Sequence, residues 1–219
     1  MAAMNKTAPF RPSSRETLAA LTQDRIMEGV ASLLRGGGGA TFDLVARESG
    51  VPQRTLYRYF PNKEALFDAF WRWTNDHIEM PALPKSAEEV VAHIPALFAA
   101  FDRDEPLVRA MLHNRYGRAV RLAHADARRK KFSDALRELV DVLPQDNSQR
   151  LLAAVTALCS ASGWETMKDN WRLSGPAAAA AAQWAVQALI DDAHRLAKND
   201  AAPRRPKSRS VVTERGRSS

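Results

Sequence analysis

The stretch from Thr41 to Lys63, TFDLVARESGVPQRTLYRYFPNK, limits what this chain can fold into more than any other. Apolar residues recur there at helical spacing, a lone glycine interrupts them, and the spacing then resumes. Ala46 is small enough to let two helices approach closely, and Gly50 can take the positive φ of a tight inter-helix turn. Val51, Leu56 and Phe60 can then fold back onto Val45 and onto a preceding helix. These are the requirements of a helix-turn-helix. Thr41 is placed to cap FDLVARES, with Phe42, Val45, Ala46 and Ser49 on its inner face. A third helix is expected from about Gln53 to Phe60, stopped by Pro61-Asn62, and Asn62 then caps KEALFDAFWRWTNDHIE.

With Leu56 and Phe60 turned inward, the third helix presents Gln53, Arg54, Thr55, Tyr57, Arg58 and Tyr59. Glutamine and arginine can read adenine and guanine edges, and the threonine methyl can touch a thymine methyl. Tyrosine hydroxyls and lysine can hold phosphates and so fix the register. The start of the fourth helix adds an anion site, where free N–H groups and the positive dipole end are joined by Lys63. A solvated helix face would tolerate any polar mixture and would give no reason for an anion site to follow at once. The residues therefore point to a DNA major groove.

Outside this unit the helical period also dominates and almost nothing alternates at period two, so the fold class is all-α. A first helix is expected from Thr22, as N-cap, to about Leu34, with Ile26, Val30, Leu33 and Leu34 buried. RGGGG ends it as a helix stop rather than a phosphate loop, since no lysine-serine or lysine-threonine pair follows. MPALPKS, at Met80 to Ser86, is a proline-marked loop. Further helices are expected at about Ala87 to Phe101, Pro106 to Ala123, Asp126 to Val142, Asn147 to Leu173 and Pro176 to Lys198. Pro106 and Pro176 occupy first-turn positions, where a missing N–H costs little.

With 45% apolar and 26% charged residues, the 219-residue chain has a globular composition. Its net charge is +7, but the segment from Asn199, with six cations against Asp200 and Glu214, supplies four of those charges. The remaining excess permits a nucleic acid without demanding one. That tail, rich in proline, serine and arginine, is expected to be disordered. Cys159 stands alone in LLAAVTALCSA, so an intramolecular disulfide is excluded; a small core residue is the expected role, against a redox sensor. MAAMNKTAPFRPSS lacks the apolar stretch of a signal peptide, and no run is long and greasy enough to span a membrane. A cytoplasmic, nucleoid-associated protein is expected. His77, His93, His113, His124 and His194 never fall at metal-ligand spacing, no Gly-x-Ser-x-Gly elbow occurs, and no metal or other cofactor is expected. Nothing supplies an enzyme with a nucleophile or an acid–base pair.

From Thr22 to about Phe70 the chain resembles the DNA-binding domain of the tetracycline-repressor (TetR) family of bacterial regulators. The matching residues are Thr41, Val45, Ala46, Gly50, Val51, Thr55-Leu56-Tyr57, Tyr59-Phe60 and Asn62-Lys63-Glu64-Ala65-Leu66. The resemblance covers about a quarter of the chain, and its motif is long and ordered. It implies DNA contacts at Thr41, Gln53, Arg54, Thr55, Tyr57, Tyr59 and Lys63. Pro52 departs from it, standing where members often carry a capping serine. Leu44 replaces the usual polar residue, and no Glu or Gln completes a capping box with Thr41. The implied organisation is a flexible arm at 1–13, a three-helix DNA-binding domain at 14–66, a larger helical effector-binding and dimerisation domain at 67–198, and the basic tail at 199–219.

For the larger domain, the candidate effector residues are Phe70, Trp71, Phe98, Phe101, Met111, Tyr116, Trp164 and Met167, with His113 and Arg115 as polar partners. Ordinary core packing would use the same large side chains; a mostly apolar cavity among them would suit a lipophilic small molecule. Ala181, Trp184, Ala185, Ala188 and Leu189 form a seam on the last helix, and Leu151, Val155, Leu158 and Ser162 form one on the helix before it. Two such pairs would build a four-helix dimer interface, although an internal hairpin would show the same seam. The expected function is a homodimeric, sequence-specific regulator, a repressor released from a pseudo-palindromic operator by a small lipophilic effector. The alternatives are an architectural DNA-binder without effector, or a helical carrier or enzyme whose helix-turn-helix is incidental.

Overall fold

The computed structural model describes residues 13–200, which form helices and connecting turns with no strand among them. The all-α expectation holds. The expected arm before Ser13 and the tail beyond Asp200 lie outside the described residues. The elements are α1 (Ser14–Arg35), α2 (Phe42–Ser49), α3 (Gln53–Tyr59), α4 (Lys63–His77), α5 (Ala87–Arg103), α6 (Glu105–His113), α7 (Arg115–Ala123), α8 (Ala125–Ala135), α9 (Arg137–Val140), α10 (Gln145–Leu158), α11 (Ala161–Trp171) and α12 (Gly175–Asp200).

Two apolar cores organise these helices. The first gathers Ile26, Val30 and Leu34 of α1, Val45 of α2, Leu56 of α3, and Leu66 and Phe70 of α4, all at most 1% exposed. Leu107, Met111 and Val120 of α6 and α7 enter the same cluster, so the helix-turn-helix is welded to the helices behind it. In the second, Val90, Ile94 and Phe98 of α5 meet Ala178, Ala182 and Val186 of α12. The alanines on α12 have no bulk to hold the two axes apart.

Several expected boundaries differ. Thr22 is not an N-cap. α1 begins at Ser14, where the Ser13 hydroxyl accepts the Glu16 N–H and the Glu16 carboxylate accepts the Ser13 N–H at 2.7 Å. Thr22 sits inside the helix and donates to the Leu18 carbonyl at 2.8 Å. Leu18 and Leu21 are exposed, so this first stretch carries no buried stripe to betray it. The helix expected from Pro106 to Ala123 is broken at Asn114, which leaves the helical region (ψ 134°) and caps α7 by accepting the Tyr116 N–H. Gly117 makes the sharp α6–α7 turn possible, since a Cβ there would lie 2.7 Å from the Ala110 carbonyl oxygen. The helix expected from Asn147 to Leu173 is likewise broken at Cys159–Ser160. There the Ser160 hydroxyl accepts the Gly163 N–H at 3.1 Å, and a Cβ on Gly163 would lie 2.6 Å from the Ala157 carbonyl oxygen. The expected helix from Asp126 to Val142 divides at Leu136 into α8 and α9. α12 runs on past Lys198 to Asp200.

Candidate nucleic-acid interface and ligand cavity

α2, the Gly50 turn and α3 build one unit packed on α1. Thr41 caps α2 by accepting the Leu44 N–H, and Gly50 takes the left-handed conformation (φ 65°, ψ 19°). Arg25 of α1 braces the turn by donating to the Ser49 carbonyl at 3.0 Å. α1 and α2 approach closely at Gly29, where a Cβ would sit 2.9 Å from the Ser49 Cβ, and Ala46 of α2 is half-buried. Gly29 was invisible as a contact because its partner lies in another helix. No side chain caps α3 at Pro52, as its departure from the TetR pattern foretold.

On α3, Leu56 is fully buried and Phe60 nearly so, which fixes the rotation of the helix. Gln53, Arg54, Tyr57 and Arg58 are thereby exposed together on the outer face. The Tyr57 ring stacks on Phe42 of α2, with centroids 4.4 Å apart and planes at 6°, while Tyr57 remains 49% exposed. Phe42, expected on the inner face, is thus the shelf that holds Tyr57 upright. Thr55 and Tyr59 are half-buried on the flank, with the Arg58 guanidinium 5.4 Å from the Tyr59 centroid. At the start of α4 the Asn62 side chain accepts the Ala65 N–H at 2.8 Å. Lys63 stands there exposed, its Nζ 5.0 Å from both the Phe67 and Tyr116 centroids. Of the expected DNA contacts, Gln53, Arg54 and Tyr57 share one face, Thr41 and Lys63 flank it in solvent, and Thr55 and Tyr59 are set further in.

A model of the family described as bacterial regulatory proteins, tetR family, matches residues 33–70. The N-terminal domain is a tetR-family DNA-binding domain. The protein is accordingly a DNA-binding transcriptional regulator. No curated protein and no solved structure matches the chain. No helix among the described residues is long and apolar enough to cross a membrane.

Behind the tetR-family domain lies a cavity of about 410 Å³, mostly apolar, between α4, α5, α6, α7, α8 and α10. Its walls include Trp71, Leu97, Phe101, Met111 and Phe132, with Cys159 at the end of α10. Among the candidate effector residues, Trp71, Phe101 and Met111 line it. Phe70, Phe98 and Trp164 do not, because each is wholly buried in a core. Met167 packs against the second core from α11. His113, Arg115 and Tyr116 line a separate open groove beside Gly37–Gly39. There His113 Nε2 lies 2.8 Å from Glu165 and Arg115 donates to the Tyr116 hydroxyl at 2.9 Å. The polar wall of the cavity comes instead from Thr74, Asn75, His93, Arg121, His124, Arg128 and Lys131, which sequence spacing did not single out. Burial pushes the Cys159 thiol up to about 12, which leaves it protonated and unreactive at neutral pH. Burial also lowers His93, and outweighs the hydrogen bond its ring donates to the Ala82 backbone carbonyl, which acts against it.

On α12 the inward face is Ala178, Ala182, Val186 and Ile190, and the predicted seam lies outside it. Trp184 is 77% exposed, Ala188 is exposed, and Ala181 and Ala185 are half-buried beside them. Trp184 and Ala188 are left open by the internal packing of α12, while Leu189 of the same seam packs against the second core. Leu158 is half-buried and Ser162 exposed, whereas Val155 is 0% exposed and points into the core, so it is unavailable to any partner.

Charged groups tie the DNA-binding helices to those behind them. Asp104 caps α6 by accepting the Leu107 N–H, and its Oδ2 also meets Arg35 at the end of α1 and His77 Nε2 (3.0 Å) at the end of α4. Asn114 donates to the Gly38 carbonyl at 2.8 Å. α4 therefore has one end beside the outer face of α3 and the other against both the cavity and Asp104.

Proposed function

We propose that this regulator is a homodimeric repressor that inserts α3 into successive major grooves of a pseudo-palindromic operator and is released by a small ligand in the α4–α10 cavity. The observation that carries the reading is the outward set of Gln53, Arg54 and Tyr57 on a helix anchored by Leu56 and Phe60. Gln53 and Arg54 would meet base edges, while Tyr57, Thr41 and Lys63 would hold phosphates and set the register. Thr55 and Tyr59 would contact the backbone along the flank. The exposed Trp184 seam supports pairing, because an apolar strip along one helix face gains most when a second surface covers it.

Release would run through α4, whose Trp71 and Thr74 line the cavity and whose Lys63 stands at the DNA end. A ligand shifts this equilibrium only by its preference for the released form; taking 1:99 to 99:1 requires about 5.5 kcal/mol of differential binding. Operator selection with the purified protein, followed by light scattering of Trp184→Glu, tests the reading. A recovered palindrome and a monomeric, folded variant are expected. Selection of no duplex, or an intact dimer in the variant, would overturn the corresponding half.

A further inference from the structure

The cavity is apolar in bulk yet lopsided in charge. Arg121, Arg128 and Lys131 line it, His93 and His124 join them, and no carboxylate does. Neither Arg121 nor Arg128 makes an ion pair among the described residues. The Arg128 guanidinium lies 5.1 Å from the Trp71 centroid and donates one hydrogen bond, to the Arg121 carbonyl at 3.2 Å. His124 stacks on the same indole at 5.0 Å. Among the described residues, three buried polar atoms, Thr74 Oγ1, Arg121 Nε and His124 Nε2, have no hydrogen-bond partner. Asp68 Oδ1 comes within 3.3 Å of His124 Nε2 without hydrogen-bond alignment, and Asp68 is largely exposed.

Cations at an apolar wall are unfavourable unless something compensates them, because they have lost water and gained no counter-charge. Burial first, and then the neighbouring arginine, lowers both guanidiniums from their ordinary values: Arg118 acts on Arg121, and Arg121 on Arg128. A cationic ligand would worsen this arrangement. A neutral one would fill the apolar volume and could offer the donors an oxygen, but it would bring no counter-charge to the cations. Only an anion with an apolar body answers both halves of the cavity.

We infer that the ligand of this cavity is an amphipathic organic anion, a monocarboxylate whose headgroup meets Arg121, Arg128 and His124 and whose hydrocarbon body lies along Trp71, Leu97, Phe101 and Met111. The inference rests on the ligand-released reading above and names the chemical class that reading leaves open. The carboxylate would receive charge-assisted hydrogen bonds from guanidinium groups that have no other anionic partner. The body would bury against the apolar wall, which free inorganic anions cannot do.

The test is calorimetric titration of the full chain, in low-chloride buffer, with decanoate, decan-1-ol, decyltrimethylammonium and acetate. Decanoate is expected to bind roughly tenfold or more tighter than the alcohol, with the ammonium and acetate weaker still. Arg128→Met and Arg121→Met should each abolish the preference for decanoate over decanol while retaining decanol binding. The wild-type series stands by itself should either variant fail to fold. Equal binding of acid and alcohol would overturn the anion inference and leave the cavity reading standing. Acetate binding as tightly as decanoate would overturn the amphipathic body. Preference retained in both variants would overturn the assigned headgroup site. Binding of none of the ten-carbon probes would overturn the inference and the cavity reading together.

Discussion

Arg54 and Arg58 on α3, and Arg121 and Arg128 beside the cavity, share a chemistry and a lack of ion-pair partners among the described residues, yet they mean different things. The first two stand in water, where an unpaired guanidinium is fully hydrated and costs the fold nothing. The second two are partly withdrawn from solvent against an apolar wall. Exposure makes an unpaired arginine a readiness to bind a phosphate or a base. Burial makes it a deficit that a ligand can relieve. The same contrast divides the molecule, since the N-terminal helices gather Ile26, Val30, Leu34, Val45, Leu56 and Phe70 into one core and leave the outer face of α3 polar. The helices behind them divide theirs between a core, a cavity wall and the open face of α12.

The largest expected effect would break the platform under Arg54 and Arg58. Leu56→Ala removes the fully buried side chain that fixes the rotation of α3. It should cost about 2–5 kcal/mol in urea unfolding, with operator binding lost in proportion. A cost below about 1 kcal/mol would mean that Phe60 and Val51 alone hold the helix, and that the outward set is not rigid. Gly117→Ala strikes the opposite region by forcing α6 and α7 apart, and about 1–3 kcal/mol is expected by the same measurement.

Operator affinity should separate the residues within the face. Arg54→Ala should cost about 1–3 kcal/mol and relax sequence preference at one base pair, as read by binding to single-substituted operators. Tyr57→Phe keeps the stack on Phe42 and removes only the hydroxyl, so a smaller loss of about 1 kcal/mol is expected. Lys63→Ala should lower the salt slope by about one. Unchanged affinity and salt slope in all three would refute the outward face as the DNA-reading surface. For the comparison itself, Arg54→Met should change folding stability by less than about 0.5 kcal/mol. Arg128→Met should raise it by about 1 kcal/mol in the absence of ligand, because an uncompensated cation leaves an apolar wall. A loss on Arg128→Met would show that its stack on Trp71 outweighs the charge.

The sequence displayed the helix-turn-helix because its determinants are local. Thr41, Gly50 and Asn62 act on residues within a few positions, and Val45, Leu56 and Phe60 declare their face by spacing alone. The exposed seam on α12 was legible for the same reason, since Trp184 and its alanines repeat along one helix. What spacing could not supply was which large side chains meet at the cavity. Phe98 and Phe101 are three positions apart, yet one is sealed in the core and the other lines the cavity, a distinction made by helices far along the chain. The breaks at Asn114 and Cys159–Ser160 were hidden because the apolar period continues through them; Gly117 and Gly163 signal them only once the facing backbone is known.

The smallest expected effect concerns the tie between the two regions. Asp104 and Arg35 are 69 positions apart, so no motif could pair them. Burial works to raise the Asp104 carboxyl, but hydrogen bonds from Arg35, the Leu107 N–H and His77 outweigh it and hold the group below its ordinary value. A carboxylate depressed in the folded state contributes stability that is present above its unfolded value of about 3.9 and is lost as the pH falls through the folded value. The wild type should therefore exceed Asp104→Asn in urea stability by under about 1 kcal/mol at neutral pH, the range of a partly solvated ion pair. That margin should close as the pH drops below about 4. Taking the difference between the two proteins cancels Glu105 and Asp169, which titrate in the same acid range because Lys168 and Arg109 hold the first low and Arg109 the second. A margin unchanged in acid would mean that Asp104 acts only as a neutral cap on α6, and that α1 and α4 are held to the ligand-cavity helices by apolar contact through Leu107 and Met111.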